Sequence, residues 1–100
     1  MRTVYVSIGN SDNKLTQQEW SDFWHEMNNW IQGRVAVHGA WLSEPSSRYQ
    51  NACWCFEVPD DPNSFVTQAM ISNLIRIARD HRQDSVTWML GDVQFLKTEC

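Results

Sequence analysis

The chain reads as one α+β domain, an antiparallel four-stranded sheet with two helices on one of its faces. Three observations predict this. The chain opens on a strict apolar–polar alternation, two stretches carry apolar residues at helical spacing, and two further alternating segments lie between those stretches. One hundred residues with 42% apolar content and twelve aromatics are enough for a single core spanning residues 1–100, and too few for two.

The first strand covers residues 3–8, with Val4, Val6 and Ile8 on one side and Thr3, Tyr5 and Ser7 on the other. Gly9, Asn10, Ser11, Asp12 and Asn13 supply turn chemistry. A capping box then starts the first helix: the Thr16 hydroxyl can accept from the Glu19 amide while the Glu19 carboxylate reaches back. Leu15 and Trp20 are placed as a hydrophobic staple around it. Trp20, Phe23, Trp24, Met27, Trp30 and Ile31 form one apolar stripe, and Gly33 stands where a left-handed C-terminal cap is expected.

Residues 34–42 and 51–58 read as a hairpin joined by residues 43–48, where Pro45 cannot donate to a ladder. The second helix is expected to be capped by Asp61 or Asn63, with Val66, Met70, Leu74, Ile77 and His81 on its inner stripe and Phe65, Ala69, Ile71, Ile75 and Ala78 widening it. A last strand covers residues 85–90, and residues 93–96 are a candidate tail strand. The order strand, helix, strand, strand, helix, strand is the ferredoxin-like βαββαβ arrangement, and right-handed crossovers put the first and third strands at its centre.

A net charge of −4 with two lysines, Lys14 and Lys97, argues against direct nucleic-acid binding, which needs a surplus of cations. No apolar run is long enough to span a membrane, and the start lacks the apolar segment of a secretory signal, so a cytoplasmic protein is expected. Three cysteines and no export signal point to reduced thiols.

A hairpin turning near Ser46 and Ser47 sets Val37 opposite Phe56, His38 opposite Cys55 and Gly39 opposite Trp54. Val35, Val37, Trp54, Phe56 and Val58 then join the core. Tyr5, Ser7, His38, Ala40, Cys53, Cys55, Glu57, Thr87 and Met89 fall on the face away from the helices. That face is too apolar to be merely solvated, so a partner surface is expected there. Of the six tryptophans, five fit core positions and Trp41 fits an exposed rim. The candidate partner-binding residues are Tyr5, His38, Trp41, Cys53, Cys55, Glu57, Asp60 and Asp61.

Two other readings use the same residues. Cys53, Cys55 and His38 are soft ligands that could share a metal, although Glu57 is a poor fourth ligand and packing explains the thiols as well. His38, Trp41 and Asn51 are of the types that line a pocket between sheet and helices in small dimeric enzymes of this fold, the cofactor-free monooxygenases and isomerases. No catalytic residue, metal ligand or cofactor is assigned from the sequence. The four glycines are isolated and do not form a phosphate-binding loop.

The segments Val4-Tyr5-Val6-Ser7-Ile8-Gly9-Asn10-Ser11-Asp12, Gln50-Asn51-Ala52-Cys53-Trp54-Cys55 and Gln83-Asp84-Ser85-Val86-Thr87-Trp88 resemble small proteins of phages and mobile elements. The resemblance carries no site residue with it. It implies a non-enzymatic inhibitor or adaptor that docks on a host protein or protein complex, of the anti-CRISPR or other counter-defence kind, with a homodimer as one form.

Overall fold

In a computed structural model, residues 1–10, 12, 14–44, 47–91, 96 and 98 are described. The elements are β1 (Arg2–Gly9), α1 (Gln17–Gln32), β2 (Val37–Leu42), β3 (Asn51–Val58), α2 (Phe65–Asp80) and β4 (Thr87–Gly91). All strand pairs are antiparallel and the sheet order is β2-β3-β1-β4, the ferredoxin-like arrangement with β1 and β3 at the centre. The expected tail strand lies outside the described residues apart from exposed Leu96. No helix among the described residues is long and apolar enough to cross a membrane.

Alternation along β1 and β3 builds the core. Val4, Val6 and Ile8 point to the same side as Ala52, Trp54, Phe56 and Val58, and all seven are buried. Over them lie Trp20, Phe23, Met27 and Ile31 of α1 and Met70, Leu74, Ile77 and Ala78 of α2. The Trp54 indole donates to Asn28 Oδ1 (2.9 Å), so its polar atom is satisfied beneath α1. Val35, Val37, Trp24, Trp30 and Trp88 pack partly buried at the margin.

The capping box of α1 forms as read: Glu19 N donates to Thr16 Oγ1 (3.1 Å) and Thr16 N to Glu19 Oε1 (2.9 Å). Several boundaries differ from the sequence reading, each for a local reason. Gly33 is right-handed (φ −80°), because its amide still bonds to Asn29 O and the chain leaves the helix without a left-handed residue. Arg34 and Val35 both donate to Ile31 O, so the helical end holds them and β2 starts only at Val37. Ser64 caps α2, accepting from Thr67 N; Asp61 is used one turn earlier, where its carboxylate accepts from Asn63 N. The inner stripe of α2 holds Met70, Leu74 and Ile77 as read, with Ala78 beside them, but begins at Thr67 and not Val66, and Phe65, Val66 and Ile75 are exposed.

The left-handed residue appears instead after α2. Arg82 has φ 61°, its amide donates to Arg79 O, and Gln83 N donates to Ala78 O (2.9 Å). That pair of bonds is a Schellman motif, with arginine in the place glycine usually takes. His81 before it stacks on Phe23 (5.0 Å between ring centres) and lies 2.9 Å from Glu26, tying α2 to α1.

Candidate functional site

The sheet face turned away from both helices is organised in rows across the strands. Trp41, Cys53, Ser7 and Thr87 form one row, and Gly39, Cys55, Tyr5 and Met89 the next. Glu57 and Thr3 continue toward Gly91. Trp41 is 57% exposed, Met89 48% and Tyr5 41%, so three large side chains stand on a floor of small ones. The ionisable pair His38 and Glu57 sits at one end, 3.7 Å apart and partly exposed.

One irregularity corrects the expected register. Val37 does face Phe56, but a β-bulge between Val37 and Gly39 sets Gly39, not His38, opposite Cys55. Beyond the bulge Ala40 pairs with Trp54, Trp41 with Cys53 and Leu42 with Ala52. Ala40 therefore leaves the helix-free face for the other side, and Trp41 joins it. His38, the extra residue, turns toward Glu57 instead of the thiols.

Tyr5, Cys53, Cys55, Glu57, His38 and Trp41 thus share one face. Asp60 and Asp61 do not. They follow the far end of β3, roughly 20 Å along the strand from Cys53 by strand rise. Asp60 pairs with the amino group of Met1 (3.0 Å), and Asp61 closes the turn before α2.

A hydrogen bond to Cys55, with added repulsion from the thiols and some desolvation, pushes ionisation of the Tyr5 phenol above its ordinary range. Burial, then the neighbouring Cys55, pushes the Cys53 thiol up, which makes it a poor nucleophile. Among the described residues no three His, Cys, Asp or Glu side chains converge as metal ligands. The set His38, Trp41 and Asn51 is not gathered beneath the helices: His38 and Trp41 lie on the helix-free face, and the core under the helices holds Trp54, Phe56, Phe23 and Met27. Asn51 belongs to the hairpin end, where its side chain donates to Tyr49 O.

A groove was missed by the sequence reading. Trp20 and Trp24 of α1 and Leu42 of β2 form its apolar walls, with Gln17, Ser21, His25, Ser43 and Gln50 around them, enclosing about 340 Å³. Gln17 and Gln50 close one end with reciprocal amide hydrogen bonds (2.7 and 3.3 Å). His25 packs edge-on to Trp24, and its Nδ1 donates to Ser21 O (2.7 Å). The i, i+4 tryptophans were legible; that Leu42 faces them depends on the bulge.

In comparisons with known proteins, no protein-family model and no curated protein matches this chain.

Proposed function

We propose that this chain is a non-enzymatic docking module of a phage or mobile element, which binds a host protein or protein complex through the helix-free sheet face and so inhibits or adapts it. An anti-CRISPR or other counter-defence role is the form that the resemblance implies, acting in the host cytoplasm. The single observation that carries the docking is the row of Tyr5 and Met89 beside Trp41, half-exposed on a floor of Cys53, Cys55, Ser7 and Gly39. Aromatic and methionine side chains on a charge-poor patch, with ionisable groups at its end, have the anatomy of an interface core and rim. The net charge of −4 adds a preference for a basic partner surface.

The experiment is to express the chain in bacteria carrying an active CRISPR or restriction system and measure phage plating. Plating is expected to rise with the wild type and to fall back with Tyr5→Glu or Met89→Glu, provided both variants remain folded by circular dichroism. Unchanged plating in every immune host tested, or variants as active as the wild type, overturns the reading.

The groove of Trp20, Trp24 and Leu42 favours one other reading, a small dimeric enzyme acting on an aromatic substrate. His25 would be the acid–base group among its lining residues.

A further inference from the structure

β2 is an edge of the sheet, with β3 on one side and no strand of the described residues on the other. The hydrogen bond from Ser43 N to Asn51 O (2.9 Å) fixes which backbone groups face β3. By the alternation of an antiparallel ladder, Trp41 and Gly39 turn theirs toward Cys53 and Cys55, while Ala40 and Leu42 turn theirs outward. The strand's own sequence does not blunt this edge: Val37–Leu42 contains no Lys, Arg, Asp, Glu or Pro, and its single bulge lies at the start. Apolar side chains are exposed on both of its sides, Trp41 on one and Leu42 (42%) on the other.

The strand also contains its own complement. Around Ala40, the largest side chain is Trp41 and the smallest residue is Gly39, and a Cβ added at Gly39 would meet no atom within 4 Å. From this we infer that β2 is a homodimer edge: two copies pair their β2 strands antiparallel about Ala40, each laying Trp41 over Gly39 of its partner. In that register Ala40 exchanges backbone hydrogen bonds with the partner's Ala40. Gly39 and the partner's Trp41 fall at a non-hydrogen-bonded pair, where side chains approach most closely. An indole covering an edge glycine restores the packing the glycine lacks. No like charges meet along the seam, and the result is one continuous eight-stranded sheet. The inference shares Trp41 and Gly39 with the docking proposal but rests on the strand edge, and Tyr5→Glu, which lies outside the seam, separates the two.

A seam of one short strand and two indoles is smaller than a standard interface, so a dissociation constant of roughly 10–100 µM is expected. Sedimentation equilibrium of the purified chain across that range tests it. Gly39→Glu has room in the monomer, so it should keep the wild-type circular dichroism and Tm while weakening association at least tenfold. Trp41→Ala should weaken it similarly. Tyr5→Glu, two strands away, should leave it unchanged. A chain monomeric at every concentration, or a dimer indifferent to both Gly39→Glu and Trp41→Ala, overturns the inference. So does a dimer lost with Tyr5→Glu alone, which would place the contact on the sheet face.

Discussion

Asn10 and Gln50 are joined twice across the open end of β1 and β3. The Asn10 amide donates to Gln50 O (2.8 Å), and its side-chain Nδ2 donates to Gln50 Oε1 (3.0 Å). The same buried Asn10 side chain also accepts from Leu15 N and donates to Leu15 O, so one residue ties the loop before α1 to the sheet. Asn10→Ala leaves the Leu15 backbone groups without these partners. A loss of about 2–3 kcal/mol is expected, measured by urea unfolding. A destabilisation under 0.5 kcal/mol, the size of an ordinary surface change, would show that the network contributes little.

Acid should act on the start of α1. The backbone hydrogen bond from Thr16, with smaller help from the Thr16 side chain and Arg82, holds the Glu19 carboxyl below its ordinary value of 4.5. A depressed folded-state value means that its stabilisation is present above pH 4.5 and disappears as pH falls through the lower value. Asp84 is depressed in the same sense by its bond to Lys14 (2.8 Å). Stability measured from pH 6 to pH 2.5 should fall less steeply in a Glu19→Gln/Asp84→Asn double variant than in the wild type. Parallel curves would count against the assignment.

Arg82 combines a strained backbone with an exposed ion pair to Glu19. A left-handed backbone costs a residue with a side chain roughly 1–2 kcal/mol, part of which glycine returns through its greater freedom in the unfolded chain, whereas an exposed pair contributes little. Arg82→Gly should therefore be neutral to slightly stabilising, and Arg82→Val clearly destabilising because a β-branched residue resists positive φ. Thermal unfolding of the two variants distinguishes them; equal Tm values would contradict the backbone argument.

The thiol at Cys53 should be sluggish. With its ionisation pushed up by burial, alkylation by iodoacetamide near neutral pH should be slower than for an unstructured thiol, and unfolding in urea should abolish the difference. Peptide mapping by mass spectrometry follows the site directly. Rapid native-state labelling at Cys53 would mean that the thiol is far more accessible than its half-buried position on β3 implies.

What could be read from the sequence was whatever is decided locally. The Thr16–Glu19 capping box needs three residues of spacing, and the alternation of β1 and β3 needs only neighbours two apart, so both were legible. The side on which Cys53 and Cys55 lie followed from that alternation. The bulge at His38 was not legible, because a strand gives no periodic sign of one extra residue until its partner is known. The same limit applies to Asn10 and Gln50, forty residues apart, and to the end of α2, where Arg82 occupies a position that composition assigns to glycine. Tyr5 and the two cysteines could thus be placed on one face from the sequence, and Trp41 could be read as exposed, but its place in the row with Cys53 follows from the bulge. Asp60 and Asp61 lie apart from that face, their partners being the amino terminus and the turn before α2.

The extra residue at His38 gives the hairpin one place where a change of length can be absorbed, which the regular ladder of the other strand pairs does not offer. Removing that one codon would close the bulge and leave Gly39, Ala40, Trp41 and Leu42 opposite Cys55, Trp54, Cys53 and Ala52, so both exposed surfaces keep their side chains and only the His38–Glu57 pair is lost. The interior, anchored by β1 and β3, would be unaffected. A one-residue deletion at this point of the strand should thus be tolerated, because the sheet spends no pairing on the residue it removes.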